Sequence, residues 1–248
     1  MSPDKPLFSI ITVSYNAEKT IERTIQSVQD QTCKQLEYII IDGASKDRTL
    51  SIIDRYKHAI DKLISEPDKG LYDAMNKGID QARGVYLCFL NAGDVFHQNN
   101  TLEEVAKKVN SQPTFPDVVY GNTAIVNNYG QFVRMRRLSP PTDLNWKSFK
   151  QGMLVCHQAF LPKLALCPKY KLKYRFSADF DWCIDILKKT ESTYYTKQVQ
   201  IDYLEDGLTT QNRRASLIER FRIMQKHYGL FSTCWQHLWF VIRALLKK

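Results

Sequence analysis

Asp42 is the first residue of the sequence whose type and position could do chemistry. It directly follows the apolar segment Leu36–Ile41, which is typical of a buried strand. A carboxylate at such a strand end could accept hydrogen bonds from ribose hydroxyls or from a base N–H. The alternative for the loop that follows is structural, since Ser45 or Asp47 could cap the next helix. We therefore predict a nucleoside contact at Asp42 and a helix cap at Asp47.

No glycine-rich phosphate loop follows the first apolar segment. Ser14–Lys19 lacks the glycines of the Gly-x-Gly-x-x-Gly dinucleotide motif, and the Gly-x-x-x-x-Gly-Lys motif is also missing from the sequence. The phosphates of a bound nucleotide would need another counter-charge, which a metal ion could supply. Asp94 follows a later apolar segment and could share Mg²⁺ or Mn²⁺ with a diphosphate, because such ions take oxygen ligands and few protein carboxylates. The alternative is that Asp94 caps a turn.

The elements that must hold these residues alternate between strands and helices over the N-terminal part of the chain. Nearly continuous apolar runs predict buried strands, and apolar residues three and four apart predict helices. This alternation implies an α/β fold with a parallel sheet and right-handed crossovers. Ligands bind beyond the carboxyl ends of such strands. The predicted strands are 7–14, 36–41, 62–65 and 85–90, and the predicted helices are 17–31, 49–57 and 71–83.

The pattern changes after residue 101. Strands at 118–126 and 131–137 are joined by an Asn-Asn-Tyr-Gly turn, which predicts a hairpin rather than a crossover. A further strand is predicted at 194–203, and helices are predicted at 102–109, 178–189 and 217–227.

Length, net charge and cysteine pattern limit the classes of protein to which the chain can belong. The 248 residues suit one domain with an appendage, and the net charge of +9 favours acidic partners. No nucleic-acid-binding motif accompanies that charge, so we expect no nucleic-acid partner. The six cysteines form no Cys-x-x-Cys pair, which favours the cytoplasm. We also expect neither a signal segment nor a membrane-spanning helix.

Four ordered segments together resemble the family-two inverting glycosyltransferases of the GT-A fold. They are 10–16, 41–49, 70–78 and 90–94, and their order and spacing match that family. The resemblance is close over residues 1–100 and looser up to about residue 230. It implies a Rossmann-like, mostly parallel sheet flanked by helices, with a C-terminal helical extension. It also implies transfer of a sugar from a nucleotide diphosphate sugar, with uridine as the base.

The resemblance assigns the nucleotide-binding residues one by one. Val13 and Tyr15 match positions that line the nucleobase pocket, and Asp42 matches the carboxylate that binds the base or ribose. Asp68, Lys69 and Gly70 fall in the loop that faces the diphosphate, with Lys69 as a phosphate contact.

The metal motif of the family is reduced in this sequence. Asp94 matches the last carboxylate of the Asp-x-Asp motif, whereas Asn91 and Gly93 stand where many members carry Asp. One protein carboxylate must then hold Mn²⁺ or Mg²⁺ with the help of the nucleotide. We therefore predict weak metal binding when no nucleotide is present.

A second group of residues is implied near the acceptor. The family's Glu-Asp pair corresponds to Ala178-Asp179, so Asp179 is the predicted general base for an inverting transfer. Asp181 is the alternative base, and either residue could instead serve only to stabilise a helix N-terminus. His157 and Gln158 match a His-Gln pair that lines the cleft for donor sugar and acceptor, and Asn91 and Asp181 are assigned to the same cleft.

The segment 211–214 partly matches the Gln-x-x-Arg-Trp motif of processive synthases. Position 215 is Ala rather than Trp, which argues against a processive polymer synthase. Arg213 and Arg214 could still contact a diphosphate or a lipid phosphate.

The tail 230–248 has two interpretations. It could pack on the domain or on a second copy of the chain, as a homodimer. We favour an interfacial helix that contacts the inner face of the membrane, because apolar residues and basic residues occur in the arrangement such helices use. The apolar residues are Trp235, Leu238, Trp239, Ile242 and Leu246, and the basic residues are Arg243, Lys247 and Lys248.

Together these features predict a cytoplasmic, metal-dependent glycosyltransferase of surface polysaccharide biosynthesis. The predicted domain is 1–212, with a nucleotide-binding half at 1–100 and an acceptor half at 101–212, followed by an amphipathic extension at 213–248. Its partners would be a nucleotide-sugar donor and a saccharide or lipid-linked saccharide acceptor. The alternatives are a non-catalytic sugar- or lipid-binding module and a nucleotidyltransferase, which should carry an Arg-bearing glycine loop after the first strand.

Overall fold

Four parallel strands form the first sheet of this computed structural model, which describes residues 5–205 and 212–245. Their order is β3-β2-β1-β4, so that the ends of β1 and β2 lie side by side, with Ser14 paired to Asp42. The strands are β1 Phe8–Ser14, β2 Leu36–Asp42, β3 Lys62–Ser65 and β4 Tyr86–Phe89, and the helices between them are α1 Ile21–Gln29, α2 Thr49–Arg55 and α3 Leu71–Gln81.

Both faces of the two central strands are covered, as their continuous apolar character predicts. On β1, Ile10 packs into one buried cluster with Ile21 and Ile25 of α1. Ile11 faces the opposite side and packs into a second cluster with Met75 of α3. The two clusters hold the sheet between helical layers, and the strand ends are therefore fixed in place.

The second sheet contains the hairpin that the sequence predicts. Strands β6 Val118–Val126 and β7 Phe132–Met135 pair antiparallel, and β9 Thr193–Leu204 runs parallel to β6 on its other side. Two short strands, β5 Val95–Phe96 and β8 Phe160–Pro162, were not predicted, because two or three residues carry too little periodicity to be recognised. Helix α4 Thr101–Asn110 precedes β6, and helix α5 Ala178–Leu187 precedes β9.

Among the described residues, two helices follow the second sheet. Helix α6 Arg213–Tyr228 packs against α5, and helix α7 Leu230–Leu245 packs against α6. Within the residues described, none of the helices has the length and apolar character needed to cross a bilayer. Leu246, Lys247 and Lys248 lie outside the described residues, as does Gln211 of the partial synthase motif.

Candidate active site

A cleft of about 1060 Å³ opens at the carboxyl ends of the first sheet's strands. This is the edge at which α/β sheets bind ligands, and the volume is at the upper end of about 300–1,000 Å³ for small-molecule sites. Most of the predicted site residues line it, and three do not. Those that line it are Val13, Tyr15, Gly70, Asn91, Asp94, His157, Gln158 and Asp179, and those that do not are Asp42, Lys69 and Asp181.

Asp42 is fully buried and organises the loop that follows β2. Its carboxylate accepts hydrogen bonds from the Ser14 hydroxyl, the Ser65 hydroxyl and both the backbone N–H and hydroxyl of Ser45. A direct contact with a nucleoside, as the sequence predicts, would require one of these bonds to open. The predicted cap at Asp47 is wrong, because the N-cap of α2 is Arg48, which makes no side-chain cap hydrogen bond. Asp47 lies one residue earlier, and its carboxylate accepts from the Thr49 backbone N–H at 3.0 Å.

The residues beside Asp42 form the adjacent wall of the cleft. Tyr15 is 65% exposed, and Val13 lies below it at the end of β1. A Cβ at Gly43 would collide with the Asp68 carboxylate and contact the Tyr15 ring, so only glycine allows these side chains to approach the loop. Asp68 itself also lines the cleft, in the loop expected to face the diphosphate.

Lys69 does not match its predicted role as a phosphate contact. Its side chain is exposed and does not line the cleft, while its backbone N–H donates to Asp73. Gly70 does line the cleft and begins α3 with a φ of 109°, a conformation that favours glycine. The loop thus presents backbone at Gly70 to the cleft rather than the lysine charge.

Asp94 is 4% exposed and lies in the interior of the cleft. It accepts hydrogen bonds from Gln158 Nε2 at 2.7 Å and from the Leu204 backbone N–H at 3.0 Å. Burial raises the pKa of Asp94 to about 7 in spite of these two donors. A divalent cation at this carboxylate would supply the positive charge that the buried environment lacks.

Asn91 supplies a second oxygen to the same region. Its Oδ1 is buried and has no hydrogen-bond partner among the described residues. A buried acceptor without a partner lowers the stability of the fold unless a ligand supplies one. Asn91 and Asp94 both line the cleft, and carbonyl and carboxylate oxygens are the donors that Mg²⁺ and Mn²⁺ accept. The residues present therefore fit such an ion.

Asp179 lies in the first turn of α5 and lines the cleft. The Tyr72 hydroxyl donates to its Oδ1 at 3.1 Å, across 107 residues of sequence. Burial, and then the charge of Asp179, raise the pKa of Tyr72 well above its ordinary value, so the hydroxyl keeps its proton. The carboxylate is thus oriented by a tyrosine that the sequence analysis did not single out.

The prediction that Asp181 lies in the cleft is wrong. Successive helical positions point in different directions, and Asp181 is buried between α5 and α6 instead. Its carboxylate contacts Lys171 at 2.7 Å, Lys226 at 2.9 Å and His227 at 2.7 Å. Burial alone would raise the pKa of Asp181, but hydrogen bonds from these groups hold it well below its ordinary value. Asp181, Asp185 and His227 also resemble a metal ligand set, yet the two lysines already neutralise it.

His157 and Gln158 support other cleft residues. His157 is buried, stacks on Phe89 at 5.2 Å and forms a hydrogen bond with the Tyr170 hydroxyl. Burial lowers the pKa of His157 to about 4, so the ring is neutral near pH 7. Gln158 donates a hydrogen bond to the Asp94 carboxylate and so helps to fix its orientation.

Two arginines complete the cleft, and neither lies in a recognisable motif. The Arg136 guanidinium donates to the carbonyl oxygens of Met153, Leu154 and Leu138. Arg220 reaches the cleft from α6, beyond the segment where the family resemblance is close. Only the packing of α6 against α5 brings it there, so no local sequence signal could have identified it.

The chain is similar to known proteins in sequence and in fold. Residues 9–163 match the family described as Glycosyl transferase family 2. A PGL/p-HBAD biosynthesis glycosyltransferase of Mycobacterium bovis is 34% identical over 210 residues, covering 82% of this chain and 78% of its own length.

Two solved structures have a similar fold. The S. aureus TarS 1–349 structure has a TM-score of 0.71 at 15% identity, covering 94% of this chain and 72% of TarS 1–349, which has also been solved with UDP-GlcNAc. The Pyrobaculum calidifontis mannosyltransferase PcManGT, solved with GDP-Man and Mn²⁺, has a TM-score of 0.64 at 17% identity. The similarity covers 95% of this chain and 71% of the PcManGT chain. These similarities confirm the predicted GT-A fold class. The match over most of the chain shows that this protein belongs to glycosyl transferase family 2.

Proposed function

We propose that this protein transfers one sugar from a nucleotide diphosphate sugar to a hydroxyl of a saccharide or lipid-linked saccharide, with inversion. The observation that carries the proposal is that Asp94 and Asp179 line one cleft at the carboxyl ends of the parallel strands. In the proposed reaction, Asp94 helps to neutralise the diphosphate through a metal ion, and Asp179 deprotonates the acceptor hydroxyl. The family membership supports the same reaction class.

Asp179 is the proposed general base. As the acceptor oxygen forms a bond to the anomeric carbon, its proton passes to the Asp179 carboxylate. The bond from the anomeric carbon to the phosphate oxygen breaks on the opposite face, and the nucleoside diphosphate leaves. Tyr72 holds Asp179 in one orientation through its hydroxyl. A base fixed in this way loses little freedom when the acceptor binds.

Asp94 and Asn91 are the residues that would hold Mg²⁺ or Mn²⁺. When bound, such an ion stabilises the charge that develops on the departing diphosphate. Gln158 and the Leu204 backbone N–H direct the Asp94 carboxylate toward the cleft. With one carboxylate among the protein ligands, metal affinity should be weak until nucleotide adds its phosphate oxygens.

The donor base and acceptor class are proposals that the relatives support. TarS has been solved with UDP-GlcNAc and PcManGT with GDP-Man, so similar folds accept different bases. We propose UDP as the carrier here, with Val13 and Tyr15 beside the base. The name of the mycobacterial relative, a PGL/p-HBAD biosynthesis enzyme, supports a role in building cell-surface glycans.

We also propose that α7 contacts the membrane surface, which would suit a lipid-linked acceptor. Phe231 is 93% exposed and Trp235 is 72% exposed. Leu238, Trp239 and Ile242 are also exposed, and their spacing of three and four residues places them on the same face of the helix. Such a face suits burial at the boundary between headgroups and acyl chains.

Sedimentation with anionic vesicles should carry the wild type down and leave a Phe231→Ser, Trp235→Ser variant in solution. Dimerisation that the same variant abolishes would favour the homodimer instead.

The catalytic unit would then extend through α6. Because Arg220 of α6 lines the cleft, we propose that the functional domain ends near residue 228 rather than 212. Only α7 would be an appendage.

A panel of nucleotide sugars tests the proposal. The protein is incubated with UDP-, GDP- and CDP-sugars, with Mn²⁺ or with a chelator, and the released nucleotide is measured. We expect one donor to be consumed in Mn²⁺ and spared in chelator. Binding without consumption of any donor, with or without surface-glycan acceptors, would favour a non-catalytic binding module.

A further inference from the structure

We infer that Arg220 binds the diphosphate of the donor, so that helix α6 completes the active site. This inference rests on the proposed function, because it assigns a residue to the donor of that reaction. It also goes beyond the sequence assignment, which gave the phosphate contact to Lys69.

The position of Arg220 is fixed by its neighbours on α6. The Glu219 carboxylate accepts hydrogen bonds from the backbone N–H groups of Arg175, Phe176 and Ser177, at 2.7, 2.8 and 3.0 Å. One turn earlier, the Ser216 hydroxyl lies 2.9 Å from the Ser177 hydroxyl. These contacts join α6 to the turn that immediately precedes Asp179. Arg220 is therefore held on the same side of the cleft as the proposed base.

The Arg220 guanidinium has a buried hydrogen-bond donor that a bound anion could satisfy. Its Nε is buried and has no hydrogen-bond partner among the described residues, although the side chain lines the cleft. A buried donor on a charged group that lacks an acceptor is costly, more so than a neutral one. An acceptor supplied by a ligand would remove that cost.

A diphosphate is the anion that best suits this place. The guanidinium presents parallel N–H groups that match phosphate oxygens, and Arg is common wherever phosphate is bound in two-pronged fashion. The other arginine of the cleft, Arg136, already donates to carbonyl oxygens of Met153, Leu154 and Leu138. No glycine-rich phosphate loop follows β1 to take the role instead. The phosphates could belong to the donor or to a lipid-linked acceptor. We assign them to the donor, because the proposed reaction requires the donor diphosphate to bind near Asp94 in every catalytic cycle.

Calorimetric titration tests the inference on the full chain in Mn²⁺. The wild type is titrated with UDP, GDP and CDP, and with the nucleoside of whichever binds best. Arg220→Gln should weaken binding of the nucleoside diphosphate by about tenfold to hundredfold, as expected for hydrogen bonds to a charged group. Binding of the nucleoside without phosphates should not change. Arg222→Gln is the matched control, since Arg222 is exposed on the same helix and does not line the cleft.

Several results of this titration would overturn the assignment of Arg220 to the donor diphosphate. Unchanged diphosphate affinity in Arg220→Gln overturns the inference, and so does an equal loss for the nucleoside. If the glutamine variant does not fold, Arg220→Met keeps the apolar stem of the side chain and is read in the same way. Normal nucleotide binding with a lost response to a lipid-linked acceptor would assign Arg220 to the acceptor and overturn the donor assignment. If the wild type binds no nucleoside diphosphate, the proposed function itself fails, which separates the two results.

Discussion

The two walls of the cleft are built in different ways. At the ends of β1 and β2, the polar contacts join adjacent strand ends, where Ser14 and Ser65 donate to Asp42. Around α5, the contacts come from distant parts of the chain. Tyr72 holds Asp179, and Glu219 holds the turn before it. The first wall is fixed by the sheet, whereas the second depends on how separate helices dock.

This difference separates the proposed nucleoside contacts on the first wall from Asp179 and Arg220 on the second. Changes in the second wall should impair transfer or stability while leaving the nucleoside contacts of the first wall intact. Changes at the strand ends should impair donor binding and metal use together. Substitutions on the two walls test this division.

Apart from loss of the proposed base, Asp94→Asn should have the largest effect. The variant removes the carboxylate proposed to hold the metal, and loss of one group that stabilises developing charge typically costs about 10²–10³-fold in kcat. Steady-state kinetics over a range of Mn²⁺ concentrations measures this loss. Glu205→Gln is the control, since Glu205 forms an exposed pair with Arg134. Near-normal kcat in Asp94→Asn would remove the proposed metal site.

Asp181→Asn should reduce stability rather than remove the base. The variant leaves Lys171 and Lys226 without their buried partner, which we expect to lower the free energy of unfolding by about 2 kcal/mol. The loss should be smaller than for a fully buried pair, because both lysines are partly exposed. Urea unfolding measures it, with Asp54→Asn as a control because that pair is exposed and contributes little.

The effect of Asp181 should also depend on pH. Its folded-state pKa lies below its ordinary value, so its stabilisation is present above the unfolded pKa of about 4 and is lost as the pH falls further. The difference between wild type and Asp181→Asn should therefore shrink below about pH 4. A difference that grows in acid would contradict the ion-pair account.

Tyr72→Phe should have the smallest effect of these variants. Removing the hydroxyl takes away one hydrogen bond to Asp179, worth about 1 kcal/mol, which corresponds to roughly a fivefold to tenfold fall in kcat. The KM for the donor should stay unchanged. Tyr195→Phe removes a hydroxyl that bonds to Asn122 outside the cleft and should leave kcat unchanged. Equal effects of both variants would show that Tyr72 acts only on stability.

The first wall could be predicted from sequence because its residues follow apolar strands directly. Strand ends on one edge of a parallel sheet must meet, and Tyr15 and Asp94, which follow β1 and β4, both line the cleft. Asp42 was found by the same rule, but the sequence did not reveal that nearby serines would engage its carboxylate.

The second wall was harder to predict because it depends on tertiary contacts. Asp179 and Asp181 are two positions apart at the start of one helix, and only the docking of α6 shows which faces the cleft. Arg220 lies more than 40 residues beyond Asp179 and belongs to no motif. Its place in the cleft follows from contacts of Glu219 and Ser216 that a pattern of residues does not encode.

Asp179→Asn tests the central claim most directly, using the donor and acceptor that the panel identifies. Transfer and donor binding are measured on the same preparation, with Asp185→Asn as a control on the same helix outside the cleft. We predict that transfer falls by about 10³-fold or more, within the range for loss of a general base, while donor affinity is retained. Transfer close to that of the wild type would contradict the assignment of Asp179 as the base.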